Sequence, residues 1–228
     1  MRSHAALLLD LDGTLLDTAP DMGGALNRLR IENGLDPLPH ETIRPVVSHG
    51  SARLVSLGFP QAVGDEYERL RQRFLELYAS NIAEHTSLFP GAESLLADLE
   101  RLAIPWGVVT NKPGWLTDPL MQELGLFDRA ACIVSGDTVA ERKPHPLPLL
   151  HASRLVGVPP VQCVYAGDAE RDIQAGRAAG MTTVVAAYGY IGSDEDPLAW
   201  QPAGIVTRPE HLLDWLGTDP ARAVAGRS

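Results

Sequence analysis

Two aspartates with one residue between them, Asp10 and Asp12, follow a run of apolar residues near the start of the chain. The run, residues 5–9, is apolar at every position, which is typical of a strand buried on both faces of a parallel sheet. Where the chain leaves such a strand in an extended conformation, side chains at positions i and i+2 point the same way. Two carboxylates held together repel one another unless a cation lies nearby. The pair therefore predicts a functional site that needs positive charge.

Three more polar clusters follow predicted strands, and each has a simple structural interpretation when it is taken alone. An Asp at a strand end is commonly a helix cap or a turn residue. The clusters, with the strand that precedes each, are Thr110 and Asn111 (104–109), Lys143 (131–135 and the loop after it), and Asp168 and Asp172 (162–166). Because open α/β sheets bind ligands beyond the carboxyl ends of their strands, the four clusters together predict one site.

Strands and helices alternate over most of the chain. The expected strands are residues 5–9, 104–110, 131–135, 162–166, 182–187 and 204–207, and the expected helices of this part are 91–102, 114–124, 146–156, 171–179 and 209–216. Strands separated by helices of about ten residues are typical of right-handed βαβ crossovers. The predicted fold class is therefore α/β, with a Rossmann-like doubly wound parallel sheet.

The stretch from residue 18 to residue 88 has a different pattern, without a convincing strand. Apolar residues three and four apart, which are typical of helices, recur in three segments: 21–33, 41–57 and 64–84. We therefore predict a helical cap domain (18–88) inserted into a core domain (1–17 and 89–217). Residues 218–228, rich in Ala, Gly and Arg, are expected to form a flexible tail.

The composition limits the classes of partner. The 228 residues are 45% hydrophobic and carry a formal net charge of −10, which disfavours nucleic acid and anionic membranes. Two cysteines, Cys132 and Cys163, are too few for a secreted domain that depends on disulfides. Residues 5–9 are too short for a signal-peptide core, and no apolar run approaches the ~20 residues of a membrane span. We expect a cytoplasmic monomer or homodimer whose partner is a small molecule.

Four segments of the sequence resemble the motifs of a known enzyme family. They read Asp-Leu-Asp-Gly-Thr-Leu-Leu-Asp-Thr (10–18), Val-Val-Thr-Asn-Lys-Pro (108–113), Arg-Lys-Pro-His-Pro (142–146) and Ala-Gly-Asp-Ala-Glu-Arg-Asp (166–172). In order and spacing they resemble the four motifs of the haloacid dehalogenase superfamily of phosphohydrolases, over residues 5–216. Within it the chain is similar to the phosphoglycolate phosphatase group, which includes a branch that acts on N-acetylmuramic acid 6-phosphate. It departs from the family pattern at Leu9, where Phe is usual, and at Thr18, where Ser is frequent.

The resemblance implies a phosphatase that works through an aspartyl-phosphate. Asp10 would be the nucleophile, and Asp12 would protonate the departing alkoxide and then accept a proton from the attacking water. Thr110, backbone N–H groups near Asn111 and the ammonium of Lys143 would hold the oxygens of the transferring phosphoryl group.

The resemblance also implies Mg²⁺ as the cofactor. Its oxygen ligands would be Asp10, the main-chain carbonyl of Asp12, and Asp168, together with phosphate and water, a hard-ligand set that suits an octahedral Mg²⁺ ion. Asp172 would support the metal-bound waters.

Substrate specificity would come from the cap, because the motif residues contact only the phosphoryl group. The candidate substrate-binding residues are His49, Gly50 and Arg53, in a stretch where Gly interrupts helical sequence. Arg44 is a further candidate cation. His49 is equally well explained as a solvated surface residue, and Arg53 as the partner of a neighbouring carboxylate.

Cations in the cap would suit a substrate that carries a carboxylate as well as a phosphate. The wider group implies phosphoglycolate. The alternative is N-acetylmuramic acid 6-phosphate, because residues 106–113 and 188–191, followed by Asp196, Pro197 and Trp200, resemble the branch that acts on it.

Other functions fit the sequence less well. A sugar phosphomutase uses the same pair of aspartates, and the motifs do not separate it from a phosphatase. A haloacid dehalogenase needs neither a Mg²⁺ site nor a second Asp, whereas this chain has Asp12 and Asp168. A receiver-type signalling module would carry its phosphorylated Asp after a later strand of a shorter chain. A binding protein without catalysis is disfavoured because every motif position is present.

Overall fold

The computed structural model describes residues 4–217, so the predicted tail lies outside the described residues. Its strands are β1 (Ala6–Leu9), β2 (Leu16–Asp17), β3 (Ser87–Leu88), β4 (Trp106–Val109), β5 (Cys132–Val134), β6 (Cys163–Gly167), β7 (Thr182–Ala186) and β8 (Gly204–Val206). Six of them form one parallel sheet in the order β5-β4-β1-β6-β7-β8. The predicted Rossmann-like α/β fold is confirmed.

The described chain also has eight α-helices and three 3-10 helices. The α-helices are α1 (Ala19–Glu32), α2 (His40–Ile43), α3 (Gly50–Gly58), α4 (Gly64–Ala79), α5 (Ala92–Arg101), α6 (Gly114–Glu123), α7 (Leu147–Leu155) and α8 (Glu170–Ala178). The 3-10 helices are Arg44–His49, Pro160–Gln162 and Pro209–Trp215, the last of which was predicted as an α-helix over 209–216. None of the helices between residues 4 and 217 combines the length and the apolar character that a bilayer crossing requires.

The central strand β1 explains why residues 5–9 are apolar throughout. Leu7 and Leu9 belong to the apolar cluster on one side of the sheet, and Ala6 and Leu8 belong to the cluster on the other side. Both faces of the strand are covered by helices, so every side chain along it is buried. The register sets Leu9 beside Val108 of β4 and Ala166 of β6, so the residues that follow these strands meet at one edge of the sheet.

The region that follows β2 and ends with β3, called here the helical insert (residues 18–88), differs from prediction in two places. The helix expected over 41–57 is broken into α2, a 3-10 helix and α3, because Pro45 lies in the first turn of the 3-10 helix and Gly50 has a positive φ of 76°. The expectation of no strand is also wrong, since β3 pairs antiparallel with β2. This short pair lies where the chain leaves and re-enters the core, and the domain boundaries stay a prediction.

The helical insert and the core share one apolar cluster. Leu26 of α1, Leu54 of α3 and Phe74 of α4 are fully buried in the same cluster as Leu11 and Leu15, which follow β1. Continuous burial of this kind fixes the insert against the edge of the sheet where the polar motifs lie.

Candidate active site

Asp10 is the first residue after β1 and is 2% exposed. The backbone N–H of Leu11 and the ammonium of Lys143 both lie 2.8 Å from its Oδ1. Within the described residues both donors therefore meet the same oxygen, which leaves Oδ2 as the oxygen that can attack an electrophile.

Lys143 is the centre of a network made wholly by the core. Its side chain is fully buried, and its Nζ lies 2.8 Å from Asp10, 2.7 Å from Asp172 and 2.8 Å from the hydroxyl of Tyr165. Nζ also donates to the carbonyl of Val109, and the Tyr165 hydroxyl donates to Asp172 at 3.1 Å. The ammonium is thus shared between two buried carboxylates.

Asp168 lies at the same edge, directly after β6, and both of its oxygens accept hydrogen bonds. Thr14 Oγ donates to Oδ1 at 3.3 Å, while Ser48 Oγ at 2.6 Å and the N–H of Tyr190 at 2.9 Å donate to Oδ2. Gly13 makes this approach possible, because a Cβ there would lie 2.2 Å from Asp168 Oδ2 and its φ is 85°. Ser48 belongs to the helical insert and was not predicted as a site residue.

Three buried carboxylates, those of Asp10, Asp168 and Asp172, each place an oxygen within 4.8 Å of the others. Burial and then the charge of Asp172 raise the pKa of Asp10 to about 6. Burial and then the charges of Asp10 and Asp172 raise the pKa of Asp168 to about 7. Burial also opposes ionisation of Asp172, but Lys143 and Arg171 outweigh it and lower its pKa. With two cations against three carboxylates, the cluster still favours one more positive charge.

Asp12 lies apart from this cluster and forms a second network. Its Oδ1 accepts hydrogen bonds from Lys112 Nζ at 2.6 Å and from Thr18 Oγ at 2.7 Å. Lys112 also donates to the hydroxyl of Tyr78 in α4, at 3.0 Å. Sequence reasoning missed Lys112, although a signal was available: Lys112 and Lys143 are the only lysines among the nineteen Lys and Arg residues of the chain.

Thr110 and Asn111 lie where predicted, beyond β4. Thr110 is buried, and its hydroxyl oxygen accepts the N–H of Lys112 at 3.1 Å. The side-chain amide of Asn111 donates to the carbonyl of Lys143 at 2.9 Å and accepts from its N–H at 3.0 Å. Asn111 therefore holds the loop that carries Lys143, and a contact of its backbone N–H with substrate stays a prediction.

A cavity of about 530 Å³ opens between these core residues and the helical insert. Its core side includes Asp10, Asp12, Thr110, Asn111 and Lys112, and its insert side includes His49 and Gly50. Burial and then the charge of Arg171 lower the pKa of His49, which favours a neutral imidazole. Of the predicted substrate-binding residues, Asn111, His49 and Gly50 thus line the same space as Asp10, Asp12 and Thr110. Lys143, also predicted as catalytic, is fully buried and is not part of the described lining.

The predicted cations of the insert lie elsewhere. Arg53 is exposed, and among the described residues it is not part of the cavity lining. Arg44 pairs with Asp17 at 2.8 Å and lies 4.8 Å from the centre of the Tyr190 ring, at the junction with the core. Arg44 is therefore held by Asp17 and Tyr190, and Arg53 lies in solvent, so neither side chain lines the cavity in the described structure.

Other arginines line the cavity instead: Arg71, Arg142 and Arg171. Arg142 precedes Lys143 directly, and its Nε donates to the carbonyl of Gly136 at 2.7 Å. Arg171 lies between Asp168 and Asp172 in sequence, and it donates to the backbone carbonyl of Ser48. Arg142 and Arg171 lie within the motif segments, which could have marked them as site residues from the sequence. Arg71 has the sequence pattern of an ordinary exposed helix residue.

Comparisons with known proteins identify the family of the chain. The family model for haloacid dehalogenase-like hydrolases matches residues 7–186. The chain is 46% identical to a phosphoglycolate phosphatase of Xanthomonas campestris, over 94% of this chain and 97% of that protein. It is 41% identical to an N-acetylmuramic acid 6-phosphate phosphatase of Pseudomonas putida, over 91% of this chain and 93% of that protein.

A solved structure shares the fold. The crystal structure of a predicted phosphoglycolate phosphatase from Haemophilus somnus superposes with a TM-score of 0.83 at 24% identity, covering 93% of this chain and 97% of that one. The family match spans most of the sheet and all four polar motifs. The chain therefore belongs to the haloacid dehalogenase-like hydrolase family, and it is a phosphatase of that family.

Proposed function

We propose that this phosphatase hydrolyses a small phosphate monoester that also carries a carboxylate, through an aspartyl-phosphate formed on Asp10. The observation that carries the mechanism is the arrangement around Asp10, whose Oδ1 is held by Lys143 and the N–H of Leu11 while the residue borders the cavity. A buried carboxylate oriented by a fixed cation is suited to nucleophilic catalysis.

Hydrolysis would take two steps. An oxygen of Asp10 forms a bond to phosphorus, the bond between phosphorus and the ester oxygen breaks, and Asp12 gives its proton to the departing alkoxide. Water then attacks the phosphorus, its proton passes to Asp12, and inorganic phosphate leaves with Asp10 regenerated. Thr110 and the N–H groups near Asn111 would hold the phosphoryl oxygens, and the buried ammonium of Lys143 would supply positive charge beside Asp10.

The donor set fits Mg²⁺. The carboxylates of Asp10 and Asp168 and the main-chain carbonyl of Asp12 would hold the ion, with Asp172 supporting its waters. The raised pKa values of Asp10 and Asp168 support this assignment, because the crowded carboxylates call for an additional cation. When bound, Mg²⁺ supplies positive charge beside the phosphoryl oxygens.

The helical insert would act as a cap domain (18–88) on the core domain (1–17 and 89–217). His49 and Gly50 line the cavity opposite Asp10, which supports a role in enclosing the substrate. Exclusion of water strengthens the electrostatic contacts made to the phosphoryl group. The cytoplasmic location and the monomeric or homodimeric state stay predictions.

Phosphoglycolate is the substrate we propose first. The relative named phosphoglycolate phosphatase, which is 46% identical, supports this choice. Arg142 and Arg71 are the candidate partners for the carboxylate, because both line the cavity and an Arg can bind a carboxylate with two parallel hydrogen bonds. Arg53, predicted for this role, would have to reorient from its exposed position.

N-acetylmuramic acid 6-phosphate is the second candidate. A cavity of about 530 Å³ has far more space than a two-carbon substrate needs, and a relative named for this activity is 41% identical. A sugar phosphomutase would be distinguished by returning the phosphoryl group to a sugar in place of releasing it.

The test measures inorganic phosphate released from phosphoglycolate, N-acetylmuramic acid 6-phosphate and an uncharged sugar phosphate, with Mg²⁺ and with EDTA. We expect release only with Mg²⁺ and a higher kcat/KM for a carboxylated ester. Arg142→Ala should reduce this preference about tenfold, and Arg101→Ala, on the exposed face of α5, is the matched control. Equal kcat/KM for the uncharged sugar phosphate would contradict the carboxylate assignment, and Arg53→Ala tests the earlier prediction in the same assay.

A further inference from the structure

Lys112 connects a core residue to the helical insert. Its side chain is 4% exposed, and its ammonium lies 2.6 Å from Asp12 Oδ1, in the loop after β1, and 3.0 Å from the hydroxyl of Tyr78, in α4. The ammonium also lies 4.7 Å from the centre of the Tyr78 ring. One buried cation therefore contacts both parts of the molecule that border the cavity.

The contact fixes one oxygen of Asp12. Lys112 and Thr18 both donate to Oδ1, so within the described residues Oδ2 is the oxygen that remains for a leaving group or a water. A carboxylate on a short side chain rotates freely unless such donors hold it, and proton transfer needs a heavy-atom distance of roughly 2.6–3.2 Å. The orientation of Asp12 thus depends on where the ammonium of Lys112 lies.

Tyr78 in turn limits the position of Lys112. The Tyr78 side chain is 1% exposed and packs in the apolar cluster that the insert shares with the core. Its hydroxyl and its ring both contact the ammonium, so a displacement of α4 would remove two interactions from Lys112 at once. A lysine suits this place because its ammonium is a compact charge on a flexible stem.

We propose that Lys112 is a positioning residue. It holds the Asp12 carboxylate in the orientation that proton transfer needs, and Tyr78 of the helical insert holds Lys112. This rests on the proposed role of Asp12 in proton transfer. The competing explanation is that Lys112 binds the phosphoryl group directly, since it also lines the cavity.

Two esters separate these explanations, phenyl phosphate and p-nitrophenyl phosphate. They have nearly the same size, but nitrophenolate departs without a proton, whereas phenolate is a much poorer leaving group. The ratio kcat/KM includes the steps up to departure of the leaving group. A misplaced proton donor should therefore reduce kcat/KM for phenyl phosphate much more than for p-nitrophenyl phosphate.

We expect Lys112→Met to lower kcat/KM for phenyl phosphate about tenfold more than for p-nitrophenyl phosphate. Tyr78→Phe should give the same pattern at about threefold, and should add little in the Lys112→Met background, because Tyr78 acts through Lys112. Tyr67→Phe is the matched control, since it removes from the same helix a hydroxyl that donates to Ala52 within the insert. Tyr67→Phe should leave kcat/KM unchanged for both esters.

Side-chain NMR gives a second readout. A protein labelled with ¹⁵N-lysine has two side-chain signals, because the chain has two lysines. Tyr78→Phe should shift the Lys112 signal and leave the Lys143 signal in place. This variant keeps the ring and preserves the test if Lys112→Met does not fold.

Equal losses on the two esters in Lys112→Met, or a Tyr78→Phe protein that matches Tyr67→Phe in both readouts, would overturn the positioning role. Failure of the proposed function has a different signature. In that case the parent protein itself releases no phosphate from either ester, or a folded Asp10→Asn protein remains active.

Discussion

Two buried lysines face the aspartates of the site, and they are held in different ways. Lys143 is fully buried, and all of its partners belong to the core, including Asp10 and Asp172. Lys112 is 4% exposed, pairs with an Asp12 side chain that is 16% exposed, and takes its other partner, Tyr78, from the helical insert. The first network is complete without the insert, whereas the second takes Tyr78 and Thr18 from it.

The difference separates two tasks of a phosphatase. Charges that stabilise phosphoryl transfer work best when they are fixed before the substrate arrives, and the Lys143 network would meet that condition in the proposed mechanism. In the same mechanism, the Lys112 network would tie proton transfer to the position of the insert. The other seventeen Lys or Arg residues are all arginines, so lysine occurs in this chain only at these two positions.

Asp10→Asn breaks the first network at the nucleophile and has the largest expected effect. Phosphate release should fall roughly 10³-fold or more, because the covalent step loses its attacking oxygen. The fold should remain intact, since the substitution removes one charge from a crowded carboxylate cluster. Circular dichroism and steady-state phosphate release measure both outcomes, and substantial activity in the folded variant would refute the covalent mechanism.

The stability of Lys143→Met and of Lys112→Met should differ. Removal of Lys143 takes the shared cation from two buried carboxylates, which should lower the free energy of unfolding by about 3–5 kcal/mol. Removal of Lys112 should lower it by about 1–3 kcal/mol, because Asp12 reaches solvent. Urea unfolding with EDTA present, so that no divalent cation replaces the lysine, gives both values. Equal losses would remove the distinction between the networks.

Mg²⁺ should stabilise the protein through the carboxylate cluster of Asp10, Asp168 and Asp172 and not through the Lys112 network. With a metal concentration about one hundred times the Kd, stabilisation of about 2.7 kcal/mol corresponds to a rise in Tm of roughly 5–11 °C for a chain of this size. Asp168→Asn should abolish the rise, while Asp12→Asn should keep it, because Asp12 would bind through its main-chain carbonyl. A Tm that does not respond to Mg²⁺ in the parent would argue against the metal assignment.

The smallest expected effect concerns access to the two amines. In the native protein both lysines should react with an acylating reagent far more slowly than N-acetyl-lysine amide does, because both are buried. In urea below the unfolding transition, Lys112 should react about tenfold faster than Lys143, since displacement of the insert exposes it first. Peptide mapping by mass spectrometry measures the two rates. Faster reaction at Lys143 would mean that the core opens before the insert does.

Sequence alone predicted the sheet and the residues at its edge because both follow from local signals. The unbroken apolar run before Asp10 is typical of a strand covered on both faces, and parallel strands bring their following residues to one edge. The insert was recognised from its helical periodicity. Its break near Pro45 and Gly50 was missed, because periodicity alone does not show where a helix is interrupted.

Only the tertiary structure decided which long side chains meet. Lys112 and Tyr78 are separated by 34 residues, and Ser48 and Asp168 by 120, so no local pattern could pair them. Arg53 and Arg142 are both cations that could bind a substrate carboxylate. The structure places Arg142 in the lining of the cavity and Arg53 outside it, because the helix and the loop that carry them face different directions. The sequence determined the chemistry of the motifs because residue type and spacing are local, whereas contacts between the insert and the core depend on packing across the whole chain.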